Sequence, residues 1–318
     1  MPHDPLPVSP PPAAGSRVGA WVSAFRLRTL PLALASIGMG TALAYADGAA
    51  RWPVVALCAL TTTLLQVLSN LANDYGDAVN GADSDLREGP TRAVQSGAIT
   101  RRAMGRGIGV CGLLALVSGL ALLWVAFGGT NLPAALGFLA LGLACIWAAY
   151  HYTAGASPYG YAGFGDVSVF VFFGLVGVLG TYFLQAQTLR PALLLPAAAL
   201  GLLSAGVLNV NNIRDLNSDA ATGKRTIPVR LGPRRARVYH ALLLVGAVGC
   251  VGAYTLLVRD FYHVRAWVWA PVAPLLARNA RGVWQARTAA ETDPYLKRLA
   301  LTTLLFVALF AVGAYRPG

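Results

Sequence analysis

The chain has 318 residues, of which 56% are hydrophobic and only 12% charged, and its mean hydropathy is +0.57. Soluble domains carry about 25% charged residues, so this composition excludes a water-soluble globular fold and predicts an all-α polytopic membrane protein. The net charge of +12 does not mark a nucleic-acid binder, because the Lys and Arg residues gather in alternate loops, the distribution that sets membrane topology.

Residues 1–20, rich in Pro and Ala, read as a disordered tail. They lack the basic flank and short apolar core of a signal peptide. Residues 21–318 read as a single membrane domain with nine apolar runs, at roughly 22–46, 53–73, 104–127, 132–150, 165–186, 191–212, 237–258, 265–286 and 297–315. Several runs carry spaced glycines, such as Gly174, Gly177 and Gly180, which read as helix-packing faces. Cys58, Cys111, Cys145 and Cys250 sit in apolar runs without paired spacing and read as small hydrophobes rather than disulfides or metal ligands. With the N-terminus inside, twenty of the 25 Lys and Arg residues fall in inner segments. Only Arg51, Arg190, Arg259, Arg265 and Arg316 fall outside. This predicts an N-in, C-out bundle.

Two acidic stretches stand out. Of 13 acidic residues, seven lie in or near them: Asp74, Asp77, Asp83, Asp85, Glu88, Asp215 and Asp219. The first, Asn73-Asp74-Tyr75-Gly76-Asp77 with Gly81 and Asp83, closes the second apolar run. The second, Asn211-Asn212-Ile213-Arg214-Asp215 with Asp219, closes the sixth. Both would face the cytoplasm. They align at an offset of 138 residues, which also pairs Pro90 with Pro228 and Arg92 with Arg230. A weak internal repeat is thus expected, with two related halves around a central cavity.

Ionised Asp at membrane depth costs about 2.5–3.5 kcal/mol on insertion scales, and clustered carboxylates repel unless cations hold them. Asn73 and Asp77, like Asp215 and Asp219, are four residues apart and share a helical face. Carboxylate and amide oxygens suit Mg²⁺, which takes few protein ligands and completes its shell with phosphate oxygens. Two opposed faces can hold two such ions. Arg87, Arg92, Lys224, Arg225 and Arg230 lie nearby, as a diphosphate bound both through metal and directly would require. Gly223-Lys224-Arg225-Thr226 is not a P-loop. A lone Asp at a helix end is ordinarily a cap, and Asp74, Asp85 and Glu88 are compatible with that role. Arg101, Arg102, Arg234, Arg235 and Arg237 read as topology determinants.

Between the two stretches lies an aromatic segment, Tyr150-His151-Tyr152 and Pro158-Tyr159-Gly160-Tyr161, followed by Phe164 and Asp166. Most of these rings are expected in the core or at the interface. Tyr150, Tyr159 and Tyr161 are candidates to face an aromatic acceptor or a developing carbocation, which a π-face stabilises. Asp166, a carboxylate between two apolar runs with no basic residue in its own loop, is the candidate base or hydroxyl-orienting group.

These motifs together resemble the UbiA-type intramembrane prenyltransferases, nine-helix bundles with two Asp-rich motifs that bind Mg²⁺ and an isoprenoid diphosphate. The resemblance runs from Trp21 to Gly318. It rests on residues 73–83, Arg87-Glu88-Gly89-Pro90-Thr91-Arg92, residues 211–219, Gly223-Lys224-Arg225-Thr226, Pro158-Tyr159-Gly160-Tyr161 and Arg26-x2-Thr29-Leu30-Pro31. The superfamily pattern Asn-x3-Asp-x3-Asp would place Asp at position 81. Gly81 stands there and the carboxylate comes at Asp83, a spacing similar to the 1,4-dihydroxy-2-naphthoate polyprenyltransferase branch and unlike the 4-hydroxybenzoate branch.

The resemblance implies that Asn73, Asp77, Asp83, Asn211, Asp215 and Asp219 hold Mg²⁺, as two ions, and that Arg26, Arg92, Lys224 and Arg225 contact the diphosphate. It implies transfer of a polyprenyl group from polyprenyl diphosphate to dihydroxynaphthoate with decarboxylation, giving demethylmenaquinone. The expected partners are those two substrates and the lipid bilayer, without nucleic acid. The expected place is the cell membrane, multi-pass, with the site on the cytoplasmic side. The alternatives are a same-fold enzyme with another acceptor (4-hydroxybenzoate, homogentisate or haem) and a cation transporter. A transporter's acids would lie near the bilayer midplane rather than at helix ends beside Arg-rich loops.

Overall fold

The computed structural model describes residues 17–81, 91–258 and 263–314. Among the described residues the chain is helix, turn and loop, with no strand. The main helices are α1 (Arg17–Phe25), α2 (Leu30–Ala46), α3 (Trp52–Val79), α4 (Arg101–Phe127), α5 (Leu132–His151) and α6 (Gly165–Ala186). They continue with α7 (Leu194–Arg214), α8 (Leu216–Ala221), α9 (Ile227–Val258), α10 (Val272–Gln285) and α11 (Ala289–Ala314).

Taking α1 and α2 as one span, eight helical segments among the described residues are long and apolar enough to cross a membrane. The predicted run at 265–286 is divided. A 3₁₀ turn, Val264–Trp267, is followed by the 14-residue α10, about 21 Å long at 1.5 Å per residue, and the two pieces together run alongside α11, with Arg265 at Gly313 and Gly282 at Tyr295. Pro271 stands just before this helix, where its missing N–H and the clash of its ring with the carbonyl four residues back prevent a continuous helix from the preceding turn. The seventh run also begins earlier than hydropathy suggests, at Ile227, and breaks at Gly232 (φ 77°) beside Pro233.

The most consequential boundary is that of α3. Its apolar run ends near residue 73, yet the helix continues to Val79, so the first acidic stretch forms its last turns. The second stretch is built differently. α7 stops at Arg214, and Asp215 joins it to α8. The amide of Asp219 still donates to the carbonyl of Asp215 at 2.8 Å, which keeps the two carboxylates one turn apart.

α7 is the central post of the larger core. Leu200, Leu203 and Val210 are fully buried against α2, α6, α9 and α11. A second cluster joins α1, α3 and α4 through Leu68, Leu71 and Met104. In α6, residues Phe170–Leu179 are wound as a π-helix, and the expected glycine face is found there. A Cβ on Gly174 would stand 2.7 Å from Gly201 Cα of α7, so the two backbones touch where other residues would separate them. At the end of the bundle opposite the acids, Arg51 donates to the carbonyls of Val125 (2.6 Å) and Ala126 (2.7 Å) and so caps α4. Tyr182 donates to Asp47 at 2.7 Å, and Arg190 pairs with the same carboxylate.

The Gly174–Gly201 contact is testable. A Cβ on Gly201 would lie 2.7 Å from Phe170 Cδ2 and 2.9 Å from its carbonyl oxygen, whereas one on Gly249 meets nothing within 4 Å. Overpacking typically costs about 1–3 kcal/mol. Gly201→Ala is therefore expected to lower the melting temperature of detergent-purified protein and Gly249→Ala to leave it unchanged; equal values would contradict this packing.

Candidate active site

Gly76 permits the close approach from which the site is assembled. A Cβ there would stand 2.5 Å from the carbonyl of Thr153, so only Gly lets the loop after α5 lie on the acidic end of α3. Asn80 Nδ2 donates to Thr153 O at 2.8 Å, and Thr153 Oγ1 donates to Ala72 O (3.1 Å) and Asn73 Oδ1 (2.9 Å). The same loop carries Tyr161, whose hydroxyl donates to Asp77 Oδ1 at 2.5 Å.

Asp77 is almost fully buried and is surrounded by donors. Lys224 Nζ lies 3.0 Å from Oδ1, and Arg92 pairs with Oδ2. Lys224 also stands 3.8 Å from Asp219 Oδ1 and 4.8 Å above the Tyr161 ring. This one ammonium therefore links the two acidic stretches and neutralises charge that neither could bear alone in a poorly hydrated interior. Asp74 faces the other way. Its two oxygens accept the amides of Ala93 and Val94, each at 3.1 Å, which holds the turn that delivers Arg92. The capping role expected of Asp74 is thus what the structure contains, applied to a distant turn rather than to its own helix.

On the second face, Arg214 grips Asp215 through Nε (2.8 Å) and NH2 (2.7 Å), and NH2 also donates to Asn211 Oδ1 at 2.8 Å. Its NH1 donates to Asp293 at 2.5 Å. Loop charge alone counted Arg214 as a topology residue, but its side chain is 2% exposed. Sequence reading assigned Asp293 and Thr153 no role, and no motif marks them, because folding alone brings each to its partner.

All this borders a cavity of about 430 Å³. Asn73, Asp77, Asn211, Asp215, Asp219, Arg92 and Lys224 line its polar end, and Arg26 also lines it. Arg26 has a left-handed backbone (φ 49°, ψ 57°) in the bend between α1 and α2, a conformation uncommon for a residue with a side chain. Apolar residues line the remainder, many of them from α4, α5 and α6, such as Leu116, Leu139, Ile146 and Phe172, with others from α2, α3 and α7, such as Ile37, Leu65 and Leu208. Leu120 and Leu143 line the cavity as well and are 47% and 49% exposed, so the apolar part opens on the lipid-facing side between α4 and α5.

The other expected site residues are distributed as follows. Tyr159 lines the cavity, with its hydroxyl donating to Ala148 O at 2.9 Å. Tyr161 lines it too, with its hydroxyl donating to Asp77 and its ring beneath the Lys224 ammonium, which ties it to the acidic clamp. Tyr150 packs with Leu68 and Leu71 and against His151, away from the cavity wall. Arg225 is also absent from the wall. Its backbone serves the site instead: its N–H donates to Tyr161 O at 2.8 Å, and its carbonyl accepts Arg230 Nε at 3.0 Å. Asp166 is buried behind the wall, receiving the Tyr239 hydroxyl at 3.4 Å. Asp83, Asp85, Arg87 and Glu88 lie outside the described residues.

Tyr152, unassigned from sequence, lines the cavity, and its hydroxyl abuts Gly165 beside Asp166. Burial first and then the Asp166 charge push the Tyr152 phenol above its ordinary pKa, and burial raises that of Tyr159.

These donors fit Mg²⁺ in kind. Asn73 and Asn211 each have the amide oxygen fixed by a donor, and carboxylate oxygens stand beside both. Among the described residues no three His, Cys, Asp or Glu side chains converge on one point. The acids instead confront one another across the cavity, an arrangement suited to ions that draw most of their shell from phosphate and water.

Because the Gly76 contact seats the loop, Gly76→Ala is expected to push α3 and the loop apart. Limited proteolysis should then cut within residues 153–158 faster than in the parent protein, while Gly105→Ala, which meets nothing within 4 Å, should not change the pattern.

A profile of the UbiA prenyltransferase family matches residues 32–310. The chain is 48% identical over 301 residues to the 1,4-dihydroxy-2-naphthoate octaprenyltransferase of Escherichia coli K12, covering 94% of this chain and 96% of that protein. It is 40% identical over 303 residues to the Mycobacterium tuberculosis H37Rv protein of the same name, covering 94% and 97%. A solved UbiA homolog from Archaeoglobus fulgidus, bound to DMAPP and Mg²⁺, has the same fold, with a TM-score of 0.64 over 92% of this chain and 98% of that chain at 17% identity.

Proposed function

Because this chain belongs to the UbiA prenyltransferase family, we propose that it transfers a polyprenyl group from polyprenyl diphosphate to 1,4-dihydroxy-2-naphthoate, with loss of carbon dioxide, giving demethylmenaquinone in its reduced, hydroquinone form. The observation that carries this reading is the confrontation of Asp77 with Asp215 and Asp219 at the polar end of a cavity that is otherwise apolar. The identity to two naphthoate octaprenyltransferases over almost their whole length supports the choice of acceptor.

Mg²⁺, proposed as two ions held by oxygens of Asn73, Asp77, Asn211, Asp215 and Asp219, would neutralise the charge that develops on the leaving diphosphate. The protein's own cations act on the same charge. Arg92, Lys224 and Arg26 line the cavity, and cations preorganised where charge develops favour the transition state over the bound substrate. As the carbon–oxygen bond breaks, the allylic carbon becomes cation-like. Tyr152 and Tyr159 line the cavity, and we assign stabilisation of that carbon to their π-systems. The electron-rich acceptor ring then attacks as one of its hydroxyls gives up a proton, and the carboxylate leaves as carbon dioxide as that proton is returned, so the hydroquinone forms with no change of oxidation state. Asp166 lies behind Tyr152, so we assign it the proton only by way of the Tyr152 hydroxyl. The opening at Leu120 and Leu143 allows the tail to extend into lipid while its diphosphate stays at the polar end. Loop charge supports a cell-membrane protein with N-in topology and this polar end on the cytoplasmic side.

Removing charge stabilisation of this kind commonly costs about 10²–10³ in rate. Asp77→Ala and Asp215→Ala are each expected to lower kcat/KM for transfer by that order, and chelation of Mg²⁺ to abolish it. Undiminished turnover in both variants would overturn the reading. Product mass spectrometry with dihydroxynaphthoate, 4-hydroxybenzoate and homogentisate in parallel decides the acceptor.

Topology has its own test. In a cysteine-free background, Thr130→Cys in the α4–α5 turn should react with an impermeant maleimide in intact cells, and Ser157→Cys only after permeabilisation. The reverse pattern would place the site on the other side.

A further inference from the structure

Asp293 belongs to neither acidic stretch, yet one contact joins it to the second. It stands near the start of α11, 43% exposed, and receives Arg214 NH1 at 2.5 Å. The other edges of the same guanidinium hold Asp215 Oδ1, Asp215 Oδ2 and Asn211 Oδ1, at 2.8, 2.7 and 2.8 Å. Asn211 and Asp215 line the cavity and Arg214 does not. Arg214 therefore holds both residues from behind.

A guanidinium only donates. Its contact with Asn211 fixes which side of the amide is oxygen, and the Asn211 Nδ2 so placed donates to Asp215 Oδ2 at 3.5 Å; the fork itself uses one lone pair of each carboxylate oxygen and leaves Oδ1 with a further acceptor position. Such a fork orients only if its own plane is held, and Asp293 holds its free edge. Asp293 also divides the cationic charge. Without it the whole guanidinium charge would fall on Asp215 and weaken that carboxylate as a ligand. Asp77 is arranged differently, since its cations, Arg92 and Lys224, line the cavity and can meet a ligand directly.

We propose that Asp293 is a positioning residue for the second acidic stretch, acting through Arg214 to hold Asn211 and Asp215 in the orientation that receives a metal-bound diphosphate. This rests on the prenyl-transfer reading above. Partners one shell out from a metal typically change its affinity about 10–100-fold when removed.

The test titrates full-length protein in detergent with Mn²⁺ in the presence of inorganic diphosphate, reading bound metal by electron paramagnetic resonance. Asp293→Ala and Arg214→Lys are expected to raise the Mn²⁺ midpoint at least tenfold, Asp293→Glu to restore most of the affinity, and the Mg²⁺ midpoint for transfer to move in parallel. An unchanged midpoint in Asp293→Ala, or a lower melting temperature with no change in midpoint, would overturn the proposal and assign Asp293 a merely structural role. Failure of the prenyl-transfer reading is scored separately, by the parent protein giving no product with dihydroxynaphthoate.

Discussion

The rest of this molecule depends on bringing like charges together in a poorly hydrated place. Asp77 and Asp219 approach one ammonium, that of Lys224, and Asp215 sits in the fork of Arg214. Each carboxylate would be expensive to bury without its cation. With the cations in place the acids can stay near one another.

Much of the surrounding architecture serves that arrangement. Asp74 caps the turn at Ala93 and Val94, and the turn carries Arg92. The amide of Arg225 and the guanidinium of Arg230 hold the loop that carries Tyr161. Gly76 admits that loop to α3, and Thr153 fixes Asn73 from within it. Residues that read individually as caps, topology charges or interfacial aromatics prove to be mutual supports, because a buried charge must have all its partners located. Helix packing through Gly174 and Gly201 keeps α6 on α7, and α7 carries the second stretch.

The division between polar and apolar parts of the cavity follows from where the helices end. The acids lie in the last turns of α3 and just past the end of α7. Much of the greasy wall comes from the middle of α4, α5 and α6. A substrate with a diphosphate head and a hydrocarbon tail matches this division, with the head held by charge and the tail left where hydrocarbon is already the solvent.

Hydropathy, loop charge and the Asn-x3-Asp spacing determined by themselves that the chain is a helical membrane bundle with two acidic faces near helix ends. These properties are local: burial in lipid acts on each 20-residue run, and four-residue spacing sets a helical face. Asn73, Asp77, Asn211, Asp215 and Asp219 were legible for that reason, Arg92 and Lys224 from their nearness in sequence to the acidic stretches, and all line one cavity. Tertiary structure alone decided which cation serves which acid, that Tyr161 joins the clamp while Tyr150 and Arg225 leave the wall, that Asp166 stands behind Tyr152, and that the run at 265–286 divides. It also decided that Thr153 reaches Asn73, and Asp293 reaches Arg214, from 80 and 79 residues away along the chain. Such pairings depend on how helices and loops pack in space, and neither composition nor periodicity carries that information.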